Sequence, residues 1–124
     1  METFIIEATK QTPFIKLEPS GVIEISGSST NSNILNFYQP ILQWLEEYMK
    51  APADLTTVNC KLIYYNTITC KVLMHIFKTL EKLPAPQSVE IIWHYDTEDE
   101  DMREYGEDFK AVLKNIDFKF HEIN

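Results

Sequence analysis

Cysteine and glycine are both scarce in this sequence of 124 residues. The two cysteines, Cys60 and Cys70, form no CxxC pair, and His75 and His94 are not spaced as zinc ligands. We therefore predict two reduced, partly buried cysteines and no metal site. The three glycines are scattered along the chain instead of forming a phosphate-binding loop. No cofactor is expected.

Long apolar runs and clusters of basic residues are also missing. The apolar runs are only a few residues long, whereas a membrane-spanning helix needs about 20 residues. Met1 is followed by Glu2 and Thr3, without the basic and apolar regions of a secretory signal, so a cytoplasmic location is expected. The net charge of −8 has the wrong sign for binding nucleic acid or an anionic membrane.

The negative charge is concentrated in residues 96–108, which hold eight acidic residues and Arg103. An EF-hand loop starting at Asp96 would need glycine at its sixth position, where this chain has Asp101. Two main interpretations remain open, with a divalent-metal site as a weaker third. The acids could simply favour the positive end of a helix dipole, or they could form a docking surface for a basic partner. In the second case the partner binds an acidic rim, made of Glu98, Asp99, Glu100 and Asp101.

Apolar periodicity predicts one α/β domain that covers residues 1–124. The expected strands lie near residues 4–6, 14–17, 22–26, 58–65, 88–95 and 118–120, and the first of them is an edge candidate. Helical spacing runs from Ile34 to Met49 through Pro40, which favours one kinked helix. A second helix follows Asn66.

The third helix is expected to start at a capping box formed by Thr97 and Glu100. The apolar residues that we expect this helix to bury are Met102, Tyr105, Phe109, Val112 and Leu113. Together these elements predict an N-terminal hairpin followed by parallel strand–helix–strand units. The fold class is therefore α/β, with a mixed sheet of about five strands and three main helices.

Residues 60–83 form the centre of this pattern: a buried strand, a two-residue corner at Asn66–Thr67 and an amphipathic helix. Backbone N–H groups at a helix start have no intrahelical partner and can hold a negative charge. Thr67 is thus either a simple cap of the helix or a phosphorylation site. Lys71, one helical turn later, could pair with a phosphate, and Thr69 offers a second hydroxyl.

A small enzyme that uses His94 and Asp96 is a third and weaker hypothesis. It predicts a concave pocket at His94 and a perturbed pKa there. No serine or cysteine is spaced to act as a nucleophile with either histidine. We therefore expect a binding protein without catalytic residues.

Four segments resemble the SiaC family of bacterial regulatory phosphoproteins, whose fold is related to anti-sigma-factor antagonists of the STAS type. They occur in matching order along nearly the whole chain. The matching segments are residues 8–13, residues 37–40 with 44–48, residues 65–67 with 71–73, and residues 99–102 with 106–109. The family often has Asn-Thr-Ser-Ser at the corner, where this chain continues with Ile68 and Thr69.

The resemblance implies a signalling protein that is switched by reversible threonine phosphorylation. Family members are substrates of a dedicated serine/threonine kinase and a PP2C-type phosphatase, and the unphosphorylated form activates a diguanylate cyclase in biofilm control. The family's phosphoacceptor corresponds to Thr67 in this chain. The alternative is an acidic protein-binding module that acts constitutively, without phosphorylation.

Overall fold

The computed structural model describes residues 1–123 of the chain. In chain order its elements are β1 Phe4–Ile6, β2 Phe14–Glu18, β3 Val22–Ser29, α1 Ile34–Tyr48, β4 Leu55–Tyr65, α2 Thr67–Glu81, β5 Ser88–Asp96, α3 Glu100–Val112 and β6 Asp117–Ile123. None of the helices in this part of the chain is both long and apolar enough to cross a membrane.

The strands form one sheet in the order β1-β2-β3-β4-β5-β6. The pairs β1–β2 and β2–β3 are antiparallel, and the remaining neighbours are parallel. The predicted α/β fold, with its N-terminal hairpin, mixed sheet and three helices, is therefore confirmed. The described chain has six strands where about five were expected, because the three-residue β1 pairs along β2.

All three helices lie on the same face of the sheet. Each helix joins two parallel strands that are neighbours both in sequence and in the sheet. Right-handed crossovers that all advance in the same direction across the sheet place their helices on the same side of it. Burial agrees with this arrangement: Val89, Ile91 and Trp93 of β5 are buried, whereas the residues between them are partly exposed. The core therefore lies between the sheet and the helices, and the opposite face of the sheet is left open.

Helix α1 runs through Pro40 without interruption, as predicted. Pro40 is exposed, and the buried stripe of this helix consists of Ile34, Tyr38, Ile41, Leu45 and Tyr48. A proline on the outer face removes one helical hydrogen bond but leaves the packing against the sheet intact.

Both cysteines are free thiols, as predicted. Cys60 is fully buried in β4, and this burial raises the pKa of its thiol to about 12. Cys70 is partly exposed near the start of α2.

The capping box predicted for α3 is wrong. Asp99 is the N-cap, and its Oδ1 accepts a hydrogen bond of 3.0 Å from the backbone N–H of Met102. Thr97 instead donates its hydroxyl to the carbonyl of Ile123 at 3.2 Å. Aspartate is as good an N-cap as threonine, so local sequence could not decide between the two positions.

Two residues that were predicted to be buried by α3 are exposed: Tyr105 by 45% and Val112 by 44%. The helix presents Met102, Gly106 and Phe109 to the sheet. Contact is close at Gly106, where an added Cβ would lie 2.5 Å from a ring carbon of Trp93. Gly106 therefore faces the sheet, and Tyr105 lies at the edge of the contact between α3 and the sheet.

Candidate functional site

The Asn66–Thr67 corner joins β4 to α2. Asn66 is the N-cap of the helix, and its Oδ1 accepts a 2.9 Å hydrogen bond from the backbone N–H of Thr69. The backbone N–H of Asn66 also donates to the carbonyl of Ser29 at 3.2 Å, which ties the corner to the end of β3. Thr67, the first residue of the helix, is exposed to solvent.

Thr69 differs from Thr67 because its side chain is fully buried. Its hydroxyl lies 2.8 Å from the Ser29 Oγ, 2.9 Å from the Ser29 carbonyl and 2.8 Å from the Asn66 Oδ1. The Ser29 Oγ is in turn 3.2 Å from the hydroxyl of Tyr38 on α1, and burial raises the pKa of that tyrosine. This hydroxyl cluster locks the helix start against β3 and α1. Thr69 thus serves the fold, and Thr67 is the threonine that a second protein can reach.

The start of α2 lacks the negative charge that a helix N-terminus favours. Its first turn contains no acidic residue, and the N–H groups of Thr67 and Ile68 have no intrahelical acceptor. Lys71 is exposed one turn later, and within residues 1–123 no carboxylate forms an ion pair with it. A dianion at Thr67 would meet favourable partial charges and an unpaired cation at this end of the helix.

A β-bulge changes the direction of the side chains at the end of β4. Leu62 pairs with Gly27, but the next pair joins Tyr64 to Ser28, so Ile63 is an extra residue in β4. Beyond the bulge Tyr65 packs against the core, and Ile63 and Tyr64 are exposed by 59% and 67%.

The neighbouring strands β4 and β5 separate at their carboxyl ends. Their pairing stops at Cys60 and Trp93, after which β4 stays with β3 and β5 stays with β6. Beyond this point a pocket of about 230 Å³, which we call the crevice, lies between the end of β4 and the start of α3. It is lined by Ile63, Tyr64, Tyr65, Asp99, Asp101, Met102 and Tyr105.

The acidic rim begins at the same edge of the sheet as the Asn66–Thr67 corner, because β4 and β5 are parallel neighbours. Asp99 and Asp101 line the crevice. Glu98 and Glu100 are exposed but lie outside the crevice lining. Two of the four acids therefore border the crevice, and of the four only Asp99 is partly buried.

His94 lies on the open face of the sheet. Its Nε2 is 3.3 Å from the Asn59 Oδ1, and its ring lies 5.0 Å from that of His121. Burial lowers the pKa of His94, and the neighbouring His121 and Lys61 lower it further. The Asp96 carboxylate accepts the backbone N–H of Glu98 at 3.0 Å, so it is engaged in the loop that leads to α3. Asp96 thus has a structural partner, whereas the buried Nδ1 of His94 has no hydrogen-bond partner within residues 1–123.

Sequence reasoning missed Ile63, Tyr64 and Tyr105 as surface residues. A signal was nevertheless present, because residues 62–65 are four successive apolar or aromatic residues. A strand that is covered on one face can bury only alternate side chains. Some of these four residues therefore had to be exposed.

Fold and site together define a small α/β domain with an exposed threonine at a helix start and a crevice lined by aromatic side chains and carboxylates. The family model described as SiaC family regulatory phosphoprotein matches residues 6–123. The chain belongs to this family.

Related proteins agree with this assignment. An uncharacterised protein of Pseudomonas aeruginosa (strain UCBPP-PA14) is 27% identical over 112 residues, which is 89% of each chain. The crystal structure of apo-SiaC from Pseudomonas aeruginosa is 24% identical, with a TM-score of 0.89 over 98% of this chain and 99% of that one.

A chain in a crystal structure of a complex is also similar. This is the complex of the diguanylate cyclase SiaD with its activator SiaC from Pseudomonas aeruginosa. The matching chain is 25% identical, with a TM-score of 0.83 over 95% of this chain and 99% of that one.

Proposed function

We propose that this chain is a non-enzymatic signalling protein that is switched by reversible phosphorylation of Thr67. In its unphosphorylated form it binds a regulatory partner, a diguanylate cyclase, through the edge that holds Thr67 and the acidic rim. The observation that carries the proposal is the exposed position of Thr67 at the start of α2, beside a buried Thr69. Family membership and the similarity to SiaC in complex with a cyclase support the choice of partner.

Phosphorylation would change the character of this edge. A phosphate adds a charge of roughly −1.5 to −2 and three acceptor oxygens. It would be held by the free N–H groups of α2 and by Lys71. The same edge exposes Tyr64 by 67% and Ile68 by 40%. A bulky, hydrated dianion next to apolar contacts carries a large desolvation penalty, so phosphorylation should weaken partner binding.

The switch requires two modifying enzymes, a serine/threonine kinase and a PP2C-type phosphatase. Both act on exposed chain segments, and the hydroxyl of Thr67 meets that condition. The proposal places the protein in the bacterial cytoplasm, where ATP-dependent kinases operate.

Kinase treatment tests the modification. The wild-type protein and Thr67→Ala are each incubated with the kinase and ATP, followed by intact-mass analysis and phosphopeptide mapping. We expect one phosphate on the wild type, mapped to Thr67, and none on Thr67→Ala. Equal phosphate incorporation in the two proteins, or a phosphate mapped to another residue, would contradict the assignment.

The second candidate is a constitutive acidic binding module. It is favoured by the exposed carboxylates of Glu98, Glu100 and Asp101. This candidate predicts salt-sensitive binding of the partner that does not change on phosphorylation or substitution of Thr67. Measurements of affinity at two salt concentrations, with and without the phosphate, separate the two candidates.

A further inference from the structure

The crevice between the end of β4 and the start of α3 exposes apolar side chains. Ile63 continues the outward-facing positions of β4, the bulge turns Tyr64 outward, and Tyr105 lies across the crevice on α3 with 45% exposure. Tyr65 forms the floor, with its ring 5.1 Å from Tyr105. Contiguous apolar surface with a polar border is typical of protein interaction sites, and bulges often redirect side chains at such sites.

The border of the crevice carries two carboxylates, of which Asp99 also caps α3 by accepting the backbone N–H of Met102. Asp99 and Asp101 line the pocket, and neither forms an ion pair within residues 1–123. The nearest basic residue in sequence, Arg103, pairs with Glu107 instead. An occupant with a guanidinium or ammonium group would supply the missing cation.

The size of the crevice limits what can enter it. Its volume of about 230 Å³ lies below the range of roughly 300–1,000 Å³ that is typical of small-molecule sites. One large apolar side chain, inserted as an anchor, fits a space of this size. A nucleotide or another extended cofactor does not.

We infer that the crevice is the anchor site for a partner segment that carries one large apolar side chain next to an arginine or lysine. The apolar side chain enters between Tyr64 and Tyr105, and the basic group lies against Asp99 and Asp101. This inference rests on the proposed function, since it describes how the regulatory partner is recognised.

A small probe tests the chemistry of the crevice without the partner. The wild-type protein is titrated with n-hexylguanidinium chloride and, as a matched control, with sodium hexanoate, and backbone amide shifts are followed by NMR. We expect the guanidinium to shift the amides of residues 63–65 and 102–105 and to bind at least about fivefold more tightly than hexanoate, because only the guanidinium can pair with the two carboxylates. Equal affinity of the two probes, or shifts confined to other residues, would overturn the inference.

Variants test the same site with the diguanylate cyclase. Tyr64→Ala removes an apolar contact and should weaken binding by about tenfold or more, whereas Ile5→Ala, at an apolar position on β1 that is 51% exposed, should leave affinity unchanged. Asp99→Asn keeps a good N-cap but removes the charge. It should lower the salt dependence of binding, and Glu46→Gln on the outer surface of α1 should not.

The outcomes separate the inference from the proposed function. If phosphorylation of Thr67 releases the cyclase but Tyr64→Ala and Asp99→Asn bind like the wild type, the crevice assignment is wrong and the switch stands. If the crevice variants lose binding but phosphorylation has no effect, the crevice stands and the switch is wrong. If the cyclase does not bind the wild type, the proposed partner is wrong, and the titration with n-hexylguanidinium alone tests whether the crevice binds an apolar group next to a cation.

Discussion

Two threonines at one helix start have opposite surroundings in this protein. Thr67 is exposed, whereas Thr69 is sealed in a cluster with Ser29, Tyr38 and Asn66. Sequence reasoning left both hydroxyls open as acceptors because they are two residues apart. Which of the two threonines is buried depends on how the first turn of α2 packs against β3 and α1. That packing involves residues distant in sequence, such as Ser29 and Tyr38.

The Thr69→Val substitution tests the structural role of the cluster. It removes the hydrogen bonds that the hydroxyl makes with Ser29 and Asn66, whose other partners remain, so it should lower the free energy of unfolding by about 0.5–1.5 kcal/mol. Thr67→Val changes an exposed side chain and should alter stability by less than about 0.5 kcal/mol. Chemical denaturation of both variants is the measurement. A Thr69→Val protein as stable as the wild type would contradict the assigned role of the cluster.

His94 predicts a pH dependence of stability. Its pKa is lowered in the folded protein by burial, by His121 and by Lys61, and Glu24 opposes the shift. The unfolded chain therefore binds the proton more readily, and the contribution of His94 is complete above its unfolded pKa of about 6.5 and is lost as the pH falls. Between about pH 8 and pH 5, the wild type should lose more stability than His94→Gln. Equal losses in the two proteins would show that His94 makes no such contribution.

At the scale of single elements, the β-bulge near the end of β4 determines which side chains line the crevice. The buried position of β4 was expected from its apolar composition, and its parallel pairing with β5 places its carboxyl end at the edge that bears the acidic rim. The extra residue Ile63 was not predictable, because a bulge depends on how β4 pairs with β3 and local sequence does not specify that register. Because of this extra residue, Tyr65 packs against the core and Tyr64 remains exposed.

The position of α3 on β5 depends on Gly106. An added Cβ would lie 2.5 Å from Trp93 and 2.7 Å from Phe120, and the buried Trp93 ring has no room to move. Alanine is favoured over glycine in a helix by about 1 kcal/mol. Overpacking against two rings outweighs this gain, so Gly106→Ala should destabilise the protein by about 1–3 kcal/mol. Thermal unfolding beside Glu104→Ala, on the exposed side of α3, checks this result, and an unchanged or raised stability would refute it.

At the scale of the whole molecule, the order of strands and helices determines where the site lies. Parallel strands in sequential order place the starts of α2 and α3 at one edge of the sheet, so Thr67 and the acidic rim share that edge. This much follows from the alternation of strand and helix patterns in the sequence. The open face of the sheet and the crevice could not be predicted, because they depend on strand order and on the divergence of β4 from β5.

The central claim is that the state of Thr67 governs partner binding. The most direct measurement is calorimetric titration of the diguanylate cyclase with unphosphorylated protein and with protein that carries one phosphate, mapped to Thr67. The phosphorylated form should bind at least about tenfold more weakly, a loss of about 1.4 kcal/mol or more. Equal affinities of the two forms, at full phosphate occupancy of Thr67, would contradict the account.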